Sequence, residues 1–204
     1  EWLFRHRYQS NGSQSREVSG HNLGNLILTA FFQHYGDFMK GLMAAHRYLD
    51  VHERNRVLPI TLEDIQLRAV YNDGTEVIGE TKIDRPDIER CLPIKEVSLI
   101  PESSYICKES EDALQSADFV VIGPGDLWTS IIPNFLVKRF DNKKILSDIH
   151  GKKIFVCPLR TKYGETSGKT ITGEELVYKA SDFLIEVERY AGVGRAHIIC
   201  NNQP

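Results

Sequence analysis

The sequence predicts an α/β fold: a Rossmann-like three-layer sandwich with a mostly parallel sheet and a small β excursion over about residues 57–100. Three observations carry this. The unbroken apolar run Phe119–Ile122 stops at Gly123-Pro124-Gly125, as a strand buried on both faces of a parallel sheet would. Strand-like and helix-like segments alternate from Glu109 to Cys200, which implies right-handed βαβ crossovers. Asn72-Asp73-Gly74-Thr75 stands between two β-prone runs, a strong hairpin signal.

The elements follow in order. Residues 9–16 are polar and read as a loop. Residues 22–34 read as a mostly buried helix, because apolar residues occupy nearly its whole circumference. Asp37 is placed to cap a second helix reaching about Leu49, with Phe38, Leu42, Ala45 and Leu49 near helical spacing. Ile65–Tyr71 alternates like a strand, Glu76–Glu80 returns antiparallel, and Ile94–Ile100 adds a further strand. Ser110–Ser116 is a short helix, Phe119–Ile122 a strand, Ile131–Arg139 a helix, and Lys153–Cys157 a strand. Gly173–Tyr190 is a helix and Ala196–Cys200 a last strand. Together, residues 1–204 read as a single domain.

Bulk numbers exclude several function classes. The 204 residues suffice for one domain with a real core. At 41% apolar and 26% charged, the composition is that of a soluble globular protein. A formal net charge of −3 supplies no global basic field for nucleic acid or an anionic membrane. No apolar stretch approaches the ~20 residues of a membrane helix. The four cysteines, Cys91, Cys107, Cys157 and Cys200, form no Cys-x-x-Cys pair, so neither a zinc finger nor a thioredoxin site is indicated. Cys157 and Cys200 end apolar runs and read as small buried hydrophobes of a reducing, cytoplasmic protein. The chain begins without Met and ends directly after a strand; we expect a piece of a longer polypeptide, truncated at both ends.

Three segments carry candidate chemistry. Gly123, Gly125, Asp126, Thr129, Ser130 and Asn134 lie where a strand meets a hydroxyl-rich helix entry. Outward backbone N–H groups and a helix dipole favour an anion there. The spacing is neither Walker A nor Gly-x-Gly-x-x-Gly, so a phosphate loop and a purely steric turn both stay open. Gly20, His21, Asn22 and Asn25 crowd the start of an apolar helix. They suit an anion or hydroxyl site, or equally an N-cap beside a structural histidine. After Cys157 come Arg160, Lys162 and Glu165. Arg160 suits bidentate phosphate binding, Glu165 a hydroxyl or metal-bound water, and Lys162 reads as a solvated charge. Ligands of open α/β sheets bind at the carboxyl ends of strands, so we expect the three segments to share one crevice. No catalytic residue and no metal ligand is assigned, and no carboxylate cluster is visible in the sequence.

Gly20-His-Asn-Leu-Gly-Asn-Leu-Ile-Leu28, Val57-Leu-Pro-Ile-Thr61, Gly123-Pro-Gly-Asp-Leu-Trp-Thr-Ser-Ile-Ile-Pro-Asn134 and Gly164-Glu-Thr166 together resemble the CofD-like superfamily. It contains 2-phospho-L-lactate transferases and gluconeogenesis factors. Val57-Leu-Pro59 and Asp73-Gly-Thr75 bring the resemblance closer to the gluconeogenesis-factor branch. Asp126 and Trp128 stand where that branch usually has Ser and Tyr, Pro158 where it has Asn, and Lys162-Tyr163 where it has Gln-Pro. The family's glycine-rich first turn, and the acidic residues that hold metal in its transferases, do not occur in this chain. The resemblance implies a nucleotide-sugar-binding regulatory protein of carbon metabolism, cell-wall supply or cell shape, and a homodimer. Its phosphate would rest on Gly123–Ser130, with Asn134 and the His21–Asn25 helix start lining the crevice. The alternative it implies is a transferase moving a phospholactyl group from a nucleotide diphosphate donor to a deazaflavin in coenzyme F420 biosynthesis; magnesium is a cofactor only in that case. A degenerate member serving as an interaction domain is the third reading.

Overall fold

The computed structural model describes residues 2–7, 20–85 and 92–200. The expected polar loop at 9–16, Cys91 and the last four residues lie outside them. The chain divides into two compact units, Glu1–Val57 and Leu58–Pro204.

The first unit is helical, with α1 (Trp2–Arg5), α2 (Leu23–Tyr35) and α3 (Phe38–Tyr48), followed by a 3₁₀ turn, Glu53–Asn55. Asn22 and Asp37 cap the two longer helices, their side chains accepting from the N–H of Asn25 and Lys40, each at 2.7 Å. Gly36, at φ +62°, closes α2 in the left-handed conformation. The helices of this hairpin approach closely at Gly41, where a Cβ would lie 2.7 Å from Phe32 Cδ1. Phe32 stacks on Phe38 at 4.3 Å and Phe31 meets Tyr48 at 5.7 Å. α2 was expected to be mostly buried, yet none of its residues is. A helical hairpin covers one side of each helix, and apolar residues round the whole circumference do not change that. α3 follows the ordinary pattern, burying Leu42, Ala44 and Ala45.

The second unit holds the sheets. β1 (Gln66–Tyr71), β2 (Glu76–Ile78) and β3 (Ile94–Ile100) form an antiparallel sheet in the order β2-β1-β3, the predicted excursion. Its hairpin closes at Gly74, φ +82°, with Asp73 Oδ1 accepting from Thr75 N at 2.9 Å. A short helix, α4 (Glu80–Asp84), follows β2. After α5 (Lys108–Gln115) comes β4 (Phe119–Ile122), which pairs in parallel with β5 (Lys152–Val156), itself parallel to β8 (Ala196–Ile199). β6 (Ser167–Lys169) and β7 (Glu175–Val177) make a small hairpin before α6 (Ala180–Ala191). One apolar core joins both main sheets to α6: Ala69, Val97, Trp128, Phe155, Phe183 and Val187 are all nearly inaccessible. This is the α/β, Rossmann-like arrangement that the sequence predicts.

Four local expectations are corrected. β4 is buried on one face only: Val120 and Ile122 are inside, while Phe119 and Val121 are each 59% exposed. Among the described residues β4 is an edge strand, and the core covers the face shared with Phe155. An apolar run looks the same whether one face or two are covered. The segment expected as a helix over Ile131–Arg139 is instead a π turn, Leu127–Ile131, followed by a 3₁₀ turn, Ile132–Phe135. Pro133 has no N–H to give the Thr129 carbonyl, so α-helical bonding fails there. The Asn134 side-chain amide donates instead to Ser130 O at 2.7 Å. Residues 173–179 are strand and turn rather than helix, because Gly173 (φ +86°) turns the chain within the β6–β7 hairpin. α6 starts only after Lys179, whose N–H bonds to the Asp182 carboxylate at 2.7 Å. Cys157 is buried as expected, but Cys200 is exposed, since among the described residues β8 is also an edge strand.

A buried cation organises the return from the 3₁₀ turn to β5. Arg139, 6% exposed, pairs with Glu111 at 3.3 Å, with Asp141 at 3.2 Å and with Asp148. Hydrogen bonding from Arg139 holds the Asp148 carboxyl at about 2, below its ordinary 3.8. The unfolded chain therefore binds the extra proton in that window. Asp148 contributes stability that is complete above pH 3.8 and lost as pH falls towards 2. In denaturant titrations between pH 5 and pH 2, Asp148→Asn should be less stable than the parent at pH 5, and the difference should shrink as pH falls through this window.

Candidate functional site

The strand β4 ends in a turn that only glycine can open. Gly123 sits at φ +83°, and a Cβ there would stand 2.8 Å from Val156 O on β5. The Gly123–Pro124 peptide is cis. The chain then enters the π turn, in which the N–H groups of Ser130 and Ile131 both bond to Asp126 O, at 2.9 and 3.0 Å. Leu127, Trp128 and Thr129 open the turn, where N–H groups have no carbonyl a full turn earlier within the element. Alongside lies a cleft of about 350 Å³. Gly123, Pro124, Gly125, Ser130 and Asn134 line it together with the apolar Val121, Ile131, Phe135 and Ile145. The exposed Ser130 hydroxyl has no partner among the described residues.

Asp126 and Thr129 belong to a different cluster. The Lys162 ammonium lies 2.8 Å from Asp126 Oδ2 and 2.9 Å from Glu165 Oε1, and also pairs with Asp84 at the end of α4. Thr129 donates its hydroxyl to Glu165 Oε1 at 3.1 Å. Glu165 is wholly inaccessible, and its Oε2 has no partner among the described residues. A tight turn puts it there: the N–H groups of Glu165, Thr166 and Ser167 all bond to Lys162 O, and Lys162 N bonds to Thr166 Oγ1 at 2.9 Å. Burial raises the Glu165 carboxyl above its ordinary value, with Lys162 pulling it down. Burial lowers Lys162, but the hydrogen bonds it donates to Asp126, Asp84 and Glu165 outweigh it and hold the ammonium above its ordinary value.

Two sets of candidates remain. Arg160 is exposed and lines a separate pocket of about 140 Å³ beyond β5, with Thr161, Tyr178, Cys157 and Cys200. Gly20, His21, Asn22 and Asn25 are in the helical unit. There Asn22 is the N-cap of α2, Gly20 O accepts from Arg7 at 2.8 Å, and Arg7 bridges Asn22 as an isolated antiparallel pair. His21 is exposed.

The structure thus corrects Lys162, expected as a solvated charge, and adds Asp84, which nothing in the sequence singled out. The spacing of Lys162 and Glu165, three residues apart, was the one available signal. Asp84, Asp126 and Glu165 offer oxygens within 4.8 Å of one another, a donor set of the kind magnesium takes. The Lys162 ammonium already stands among them, so as placed these residues do not fit a magnesium ion.

The sequence model of the CofD family, described as 2-phospho-L-lactate transferase CofD, matches residues 1–198. A gluconeogenesis factor of Halalkalibacterium halodurans is 35% identical over 194 residues, 95% of this chain and 54% of the relative. One of Bacillus subtilis is also 35% identical over 194 residues, 95% of this chain and 55% of the relative. A crystal structure of a UPF0052 family member from Bacillus halodurans superposes with a TM-score of 0.81 at 34% identity, covering 100% of this chain and 59% of that one. The chain spans about half the length of the curated relatives it matches. Among the described residues, no helix is long and apolar enough to cross a membrane.

The carboxylate cluster makes a stability prediction. Lys162→Met leaves three acidic groups without their cation, one of them fully buried, and should cost about 1–3 kcal/mol in urea unfolding at neutral pH. Adding Glu165→Gln removes the buried charge and should restore part of that loss.

Proposed function

Because the chain belongs to the CofD family, we propose that it binds a nucleotide sugar as a regulatory protein of the gluconeogenesis-factor kind, acting in carbon metabolism and cell-wall supply. The observation that carries this reading is the cleft at the carboxyl end of β4, lined by Gly123, Gly125, Ser130 and Asn134. A strand's carboxyl end is where ligands of such sheets bind. The glycines let a diphosphate approach the backbone, the Ser130 hydroxyl is available to it, and the apolar wall suits a base or sugar face. In this reading Thr129 and Asp126 act one step back. They hold the turn through Glu165 and Lys162 rather than touching the ligand. The ligand requires no chemistry from these residues.

The transferase reading is favoured by one observation, the description of the matching family model. It predicts release of a nucleoside monophosphate when the protein meets a phospholactyl nucleotide donor and a deazaflavin alcohol, with magnesium neutralising the leaving charge.

Calorimetry with UDP-N-acetylglucosamine should give saturable heat. Ser130→Ala should weaken binding about fivefold, the worth of one hydrogen bond. No heat at millimolar ligand with the fold intact overturns the reading. Monophosphate release in the donor assay would establish the transferase instead.

A further inference from the structure

We infer that Cys157 and Cys200 form an oxidisable dithiol site that a peroxide converts to an intrachain disulfide. The geometry is set by the parallel ladder. Val156 on β5 is the partner of Ile199 on β8, and each cysteine is the next residue of its chain. The ladder continues one bond further, with Cys157 N donating to Ile199 O at 2.9 Å. Neighbouring strands run about 4.8 Å apart, and disulfides span Cα separations of about 4.4–6.8 Å. Side chains alternate along a strand, so both cysteines lie on the face of Phe155 and Ile198. Both line the same pocket of about 140 Å³. Cys200 follows the last residue of its strand, so there the ladder opposes a small inward adjustment less than it would mid-strand.

The two thiols differ in a way that gives the reaction its order. Cys200 is exposed and Cys157 is buried. Burial, and then the neighbouring Cys200, raise the Cys157 thiol above its ordinary value, which keeps it protonated. Cys200 is therefore the group that meets hydrogen peroxide. Its thiolate sulfur attacks one peroxide oxygen, the O–O bond breaks, and the departing hydroxide takes a proton to leave as water. The product is the Cys200 sulfenic acid. The Cys157 sulfur then attacks the Cys200 sulfur, the S–O bond breaks, and the hydroxide leaves as water with the Cys157 proton. Two thiols and one peroxide yield one disulfide and two waters. A thiol reductant reverses it. Cys107 is less suited, since it is buried with its thiol donating to Pro59 O at 2.8 Å. The pocket also holds Arg160 and opens at the carboxyl ends of β5 and β8, so oxidation acts on the side of the sheet where ligands bind.

The test treats the reduced protein with hydrogen peroxide, blocks free thiols under denaturing conditions, and maps the peptides by mass spectrometry. The expected result is a Cys157–Cys200 linked pair two hydrogens lighter than the separate peptides. The thiol titre should fall from four to two and be restored by dithiothreitol. Cys200→Ser, at an exposed position, should abolish the linkage with the fold intact. Cys157→Ser should leave a Cys200 sulfenic acid that dimedone traps. If Cys157→Ser does not fold, the parent and Cys200→Ser decide the matter. Cys200 sulfinic acid beside a free Cys157, a disulfide to Cys91, or an intermolecular Cys200 dimer would each overturn the inference.

Discussion

The Lys162 ammonium is the interaction on which the candidate region rests. It gathers Asp84 from the end of α4, Asp126 from the turn after β4 and Glu165 from the turn after β5. These residues come from distant parts of the sequence, and the antiparallel excursion is tied through them to the loops of the parallel sheet. The cluster holds more negative than positive formal charge. Its balance is kept by burial, which raises the Glu165 carboxyl, and by the carboxylates, which keep Lys162 charged. A half-buried cation with three acidic partners is an electrostatic constraint on loop positions, since each loop would lose its counter-charge by moving away.

That constraint explains the division of labour between neighbouring residues. Thr129 and Ser130 are adjacent hydroxyls, and the sequence treats them alike. In the π turn they part: Thr129 is buried and donates to Glu165, while Ser130 faces the cleft. Trp128, just before them, is fully buried and meets Tyr190 edge-on at 6.1 Å. The turn is therefore pinned from beneath by apolar packing and an acid, leaving the glycines and Ser130 on the side of the cleft.

Lys162 and Asp126 are two of the positions at which the resemblance leads one to expect a departure from the gluconeogenesis-factor branch. The two departures meet in space at 2.8 Å. The Lys162 ammonium gives the Asp126 carboxylate its counter-charge.

The sequence by itself determined the α/β class, the hairpin at Asp73-Gly74, the caps at Asn22 and Asp37, the strands β3, β4 and β8, and the family. These depend on local chemistry: alternation, turn-forming residues and capping side chains act within a few residues. The exposure of Phe119 and Val121, the open circumference of α2 and the exposure of Cys200 depended on what covers each face, which no local pattern encodes. The π and 3₁₀ turns over Leu127–Phe135 lay between these cases, because Pro133 was visible but its effect on the preceding carbonyls was not. Of the candidate site, the glycine turn and Glu165 were legible as motifs. The joining of Asp84 to Lys162 was decided only by the tertiary structure, since attraction between charges depends on distance in space and not on separation along the chain.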